Sequence, residues 1–79
     1  MSTVNGDYMK TIRESISKNI INYRKANSMS QTQLAELLSL ERSTISKYES
    51  GVNLPDVVTL CAIADIFECT LDDLVGRSI

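Results

Sequence analysis

Histidine is absent from this 79-residue chain. That removes the commonest general base and the commonest metal ligand. Cysteine occurs twice, as Cys61 and Cys69. Two thiols cannot close a structural zinc site alone, and a cytosolic pair is usually reduced. Both read as small core hydrophobes, the burial habit of free cysteine. One proline and three glycines impose few breaks. No apolar run approaches the roughly 20 residues that span a bilayer. The longest, Leu60 to Ala64, stops at Asp65. Met1 to Lys10 holds no apolar signal-peptide core, so the expected location is cytoplasmic. No Gly-rich phosphate loop, nucleophile elbow or HExxH pattern occurs. Neither an enzyme nor a cofactor nor a metal site is expected.

The length implies one domain, with no separate effector or protease domain. Such a chain buries about 60% of its extended surface, enough for a small core. With 43% hydrophobic and 23% charged residues, the composition is globular rather than disordered. The net charge of −2 and a pI near 4.9 argue at first against a nucleic-acid partner. The charge is unevenly distributed, however. Residues 1–50 carry seven basic against five acidic side chains, and residues 51–79 carry one against five. A polyanion would meet the first half and avoid the second.

Residues 1–10, with Asn5-Gly6, read as a loose N-terminal leader, and residues 11–79 as the folded domain. Thr11 and Glu14 make a capping box, and Ile12, Ile16, Ile20 and Tyr23 recur on one helical face until about Ala26. Ser30 to Gln33 is a second capping box, followed by Leu34, Ala35, Leu37 and Leu38. Ser39-Leu40 leaves room only for a tight turn. Arg42 to Ser50 forms a third helix, with Ile45 and Tyr48 inward and Gly51 as its stop. After the loop Val52 to Leu54, Pro55 and Asp56 open a fourth helix whose inner face is Leu60, Ile63, Ala64 and Phe67. Thr70 to Asp73 caps a short fifth helix holding Leu71 and Leu74, which Gly76 ends. No strand-type alternation persists, so the expected architecture is an all-α five-helix bundle.

Two short helices joined by a brief turn make a helix-turn-helix unit. Ala35 is small where the pair must approach, Leu40 fills the corner, and Ile45 anchors the second helix from inside. At about 100° per residue, Arg42, Ser43, Ser46, Lys47 and Ser50 fall in a sector of about 140° opposite Ile45 and Tyr48. That stripe holds no apolar residue and no acid. Small serines let a helix lie deep in a groove, and Arg and Lys can donate to guanine O6 and N7. The alternative is a merely solvated face. Generic helix surfaces interleave Glu with Lys, though, and the only acid on this helix is Glu49, at the stripe's edge.

The stretch Ser30-Gln-Thr-Gln-Leu-Ala-Glu-Leu-Leu-Ser-Leu-Glu-Arg-Ser-Thr-Ile-Ser-Lys-Tyr-Glu-Ser-Gly51, followed by Leu54-Pro55, resembles the phage lambda repressor/Cro-type helix-turn-helix family, also called the XRE family. Thr59-Leu60, Ile63-Ala64 and Thr70-Leu71-Asp72 fit its fourth and fifth helices. The likeness runs from about Ile16 to Val75. It implies a lambda repressor-like five-helix domain that places its third helix in the major groove of double-stranded DNA, usually as a homodimer on a pseudo-palindromic operator. By position it implies base contacts from Arg42, Ser43, Ser46 and Lys47. It implies phosphate contacts from Gln31, Thr44, Ser50 and Asn53. It also pairs Arg24 with Glu49, tying the first helix to the recognition helix; two independent surface charges are the alternative.

Three departures from the family pattern have physical consequences. Ser39 stands where Gly is usual in the turn, which costs on the order of 1 kcal/mol if φ is positive. Glu41 stands where Ser or Thr usually caps the recognition helix; it suits the dipole but caps poorly. Val52-Asn53-Leu54 is neutral where bases are common, so fewer phosphate contacts and a shallower salt dependence are expected. The leading expectation is a small homodimeric repressor. Its dimer contacts would use the connection between the fourth and fifth helices and the C-terminal segment, including Phe67, Leu71, Leu74 and Ile79. The alternative is internal core, the reading taken for Leu71 and Leu74, while exposure of Val75 or Ile79 favours a dimer. The other reading is an antitoxin-like or other protein-interaction module that keeps the fold and uses its acidic half to hold a partner such as a basic toxin.

Overall fold

The computed structural model describes residues 6–77. Five helices follow one another: α1 (Gly6–Ala26), α2 (Gln31–Leu38), α3 (Arg42–Ser50), α4 (Val57–Phe67) and α5 (Leu71–Val75). No strand occurs among the described residues, so the all-α expectation holds.

Each helix contributes one fully buried branched side chain to a single core: Ile20, Leu34, Ile45, Ile63 and Leu74. Tyr23 stacks on Phe67, ring centroids 5.7 Å apart, and closes the α1–α4 seam. No buried polar side-chain atom among the described residues lacks a hydrogen-bond partner.

The helix ends follow local chemistry. Ser30 and Gln33 form the expected capping box on α2, as do Thr70 and Asp73 on α5, and Asp56 caps α4 through the Thr59 N–H. At the other ends, Met29, Leu40 and Cys69 each donate a backbone N–H to the carbonyl five residues back, at 2.9–3.0 Å. In each case the preceding residue is left-handed and is not glycine: Ser28 (φ 53°), Ser39 (φ 56°) and Glu68 (φ 54°). These are Schellman endings, and Met29, Leu40 and Cys69 pack their side chains against the core as that motif favours.

Four expectations are corrected. The first helix begins at Gly6, not Thr11, so residues 6–10 are helical rather than a loose leader; residues 1–5 lie outside the described residues. Thr11 caps nothing, and its hydroxyl donates to the Asp7 carbonyl inside the helix. Cys61 is exposed, because the phase that turns Leu60, Ile63 and Ala64 inward turns Cys61 outward; only Cys69 packs on the core. Phe67 is a core residue and offers no dimer surface, and Leu71, read as core, is exposed; Leu74 is core as read, and Val75 is half-buried. Ile79 lies outside the described residues.

Candidate nucleic-acid interface

The site is built on the α2–turn–α3 unit. Ser30 Oγ accepts the Gln33 N–H at 3.0 Å, and the Gln33 side-chain Oε1 accepts the Ser30 N–H at 2.8 Å. The turn closes through Ser39 in the left-handed region and Leu40, whose N–H reaches the Ala35 carbonyl at 2.9 Å. Ala35 and Leu34 are buried, which brings the two helices close. Glu41 sits at the N-cap of α3 with no side-chain cap bond. The first turn of α3 therefore keeps backbone donors that no side chain fills.

Burial sets the orientation of α3. Ile45 and Tyr48 face the core. Arg42, Ser43, Lys47 and Ser50 are exposed, and Thr44 and Ser46 are half-buried. Burial, and then the charge of Asp56, push the pKa of the Tyr48 phenol up. Gly51 ends the helix at φ 81°; the Asn53 N–H then folds back to the Lys47 carbonyl at 3.2 Å, leaving Asn53 exposed at the helix's end.

A clamp holds α3 against α1. Arg24 Nε donates to Glu49 Oε2 at 2.6 Å, and a terminal Arg24 nitrogen donates to Oε1 at 2.9 Å. The other terminal nitrogen donates to the Met29 carbonyl at 2.9 Å. Gln31 Nε2 joins at Glu49 Oε1, 3.0 Å away. The Arg24 and Glu49 side chains are only 12% and 7% exposed. The hydrogen bond to Glu49 raises the Arg24 pKa despite the opposing effect of burial. The Glu49 carboxylate thus ties together α1, α2 and α3, and Arg24 adds the α1–α2 turn. Gln31, expected from sequence on a phosphate, has one of its two amide N–H groups engaged here and one left to donate.

Two features had no local sequence signal. Glu49 is shared between Arg24 and Gln31, residues 25 and 18 positions away. Asn19 Nδ2 donates to the Asp73 and Leu74 carbonyls at 3.2 and 3.0 Å, satisfying the end of α5 from α1. Among the described residues no group of His, Cys, Asp or Glu could hold a metal ion, and no helix is long and apolar enough to cross a membrane.

A family profile described as helix-turn-helix (HTH_3) matches residues 20–74. The chain belongs to the helix-turn-helix family. This helix-turn-helix chain is 39% identical over 62 residues to the cryptic phage CTXphi transcriptional repressor RstR of Vibrio cholerae, a match covering 78% of this chain and 55% of that protein. It is 41% identical over 54 residues to the HTH-type transcriptional regulator AnsR of Bacillus subtilis, covering 68% and 47%. It is 30% identical over 62 residues to the antitoxin PezA of Streptococcus pneumoniae, covering 78% and 39%. The chain therefore spans about half the length, or less, of these relatives. A crystal structure of a transcriptional regulator from Listeria innocua superposes with a TM-score of 0.76 at 31% identity, over 81% of this chain and 60% of that one.

Proposed function

We propose that the chain is a sequence-specific double-stranded DNA-binding module of a transcriptional regulator, acting in the cytoplasm without a cofactor. One observation carries this reading: α3 presents Arg42, Ser43, Lys47 and Ser50 to solvent while Ile45, Tyr48 and the Glu49 clamp hold it from behind. Arg42, Ser43, Ser46 and Lys47 read base edges in the major groove. Thr44, Ser50, Asn53 and the free N–H of Gln31 flank the phosphates. The naming of RstR as a repressor and AnsR as a regulator supports the same role.

A two-fold dimer on a pseudo-palindromic operator belongs to this proposal. Val57, Val58 and Leu71 are 70%, 79% and 40% exposed, apolar side chains that the described core leaves uncovered. The acidic C-terminal half and the likeness to PezA favour a second reading, a module that keeps the fold and holds a protein partner such as a toxin in place of an operator. Selection of duplexes from a random pool tests the proposal. A two-fold symmetric consensus bound in a salt-sensitive way is expected. Absence of salt-sensitive binding to any duplex refutes the DNA reading and favours the second. Arg42→Ala should then relax preference at one base pair by about 1–3 kcal/mol. Equal weakening on every sequence would make Arg42 a phosphate contact only.

A further inference from the structure

Beyond the recognition helix, α1 and the C-terminal end of α3 enclose an open cleft of about 630 Å³. Lys10, Arg13 and Lys18 line it from α1, and Ser50 and Gly51 line it from α3 and its stop. All three bases are exposed. At about 100° per residue they lie within a sector of about 140°, one face of one helix. Two carboxylates also line the cleft: Glu14, which lies between Lys10 and Lys18 on the same helical face, and Glu49. Glu49 is already neutralised by Arg24, so three bases face one uncommitted acid. Ser50 belongs both to this cleft and to the exposed stripe of α3, which makes the two surfaces continuous.

We propose that this cleft is a second phosphate-binding surface, in which Lys10, Arg13 and Lys18 grip the duplex backbone flanking the bases read by α3. The proposal rests on the DNA-binding reading and extends it to α1. The Val52-Asn53-Leu54 loop that follows α3 carries no base, so it cannot neutralise phosphates with side-chain charge. The helical start at Gly6 places Lys10 and Arg13 on a rigid face with Lys18. A rigid row of cations loses less entropy on docking than a flexible arm would.

The test compares the wild-type chain with the Lys10→Gln, Arg13→Gln, Lys18→Gln triple variant on the selected duplex and on an unrelated one, across a salt titration. Removing one cation from a phosphate should flatten the slope of log affinity against log salt by about one, so the slope of the triple variant should be shallower by about two to three. Both duplexes should weaken alike, leaving their affinity ratio unchanged. Lys25→Gln removes an exposed base of α1 that does not line the cleft, and it should leave the slope as in wild type. Melting by circular dichroism checks that each variant is folded, and the three single substitutions give the same reading one step at a time. An unchanged slope in the triple variant, or a flattening by Lys25→Gln as large as that of each single cleft substitution, overturns the proposal while the DNA reading stands. If the wild type binds no duplex, the reading itself fails and the inference with it.

Discussion

Removing the Glu49 carboxylate is the sharpest perturbation of this domain. In Glu49→Ala the Arg24 guanidinium loses two charge-assisted bonds, at 2.6 and 2.9 Å, and Gln31 loses its acceptor. Arg24 keeps only the Met29 carbonyl. An exposed ion pair would contribute about 0–1 kcal/mol, whereas breaking a buried one costs about 3–5 kcal/mol. With the two side chains 12% and 7% exposed, the pair lies nearer the buried limit. The retained Met29 bond lowers the cost to about 2–3 kcal/mol. At about 4–8 °C per kcal/mol for a domain of this size, the melting temperature should fall by about 10–20 °C. Thermal melts by circular dichroism, with urea titrations alongside, give the value. Raising the salt to about 1 M shortens the screening length to about 3 Å and should leave most of the loss intact, since a desolvated pair is poorly screened. A fall below about 3 °C, or one erased by salt, would refute the argument and make Arg24 and Glu49 independent surface charges. A double-mutant cycle with Arg24→Met isolates the coupling. Duplex affinity should fall with the Glu49 clamp, because α3 would no longer be held at a fixed angle.

Ser39→Gly should raise stability by about 0.5–1 kcal/mol in urea denaturation, because φ 56° strains a side chain and not glycine; an unchanged midpoint would show that the turn carries no such strain. Gly76→Ala should destabilise by about 1–3 kcal/mol, since its φ is +81° and a Cβ there would lie 2.9 Å from Ser15 Cβ. Ser15→Gly should restore part of that loss, and no recovery would mean that the contact with Ser15 is not the cause. The Asp56 carboxyl is held below its usual pKa by the Thr59 N–H it accepts. A depressed folded pKa means that its stabilisation is complete above about pH 4 and fades as the pH falls through the folded value. The gap in melting temperature between wild type and Asp56→Ala should therefore be widest near neutrality and shrink in acid; a constant gap would remove the charge from the account.

Much of this molecule was legible along the chain, and the legible parts share a physical basis. Caps such as Ser30–Gln33, Asp56–Thr59 and Thr70–Asp73 join groups three residues apart, so the backbone needs no distant partner to form them. The family's usual Gly at position 39 points to a left-handed residue in the turn, and Ser39 is left-handed. The apolar spacing in α3 sets which flank can face a partner. The misreadings arose where two local signals competed. Thr11 and Glu14 offered a capping box, yet the helix continues upstream with Asp7 in its first turn, where a negative charge suits the dipole. Cys61 reads as core by residue type, yet its helical phase points outward.

The sequence by itself determined the five helices, their stops and the polar stripe from Arg42 to Ser50, because each depends on neighbours within about a turn. Only the tertiary structure decided the rest. The resemblance already paired Arg24 with Glu49, but packing alone adds Gln31 to that carboxylate, sends Asn19 to the end of α5, and stands the bases of α1 beside Ser50. These pairings join groups distant in sequence, and the entropy of bringing such groups together is met by burying the whole core at once, which no local pattern encodes.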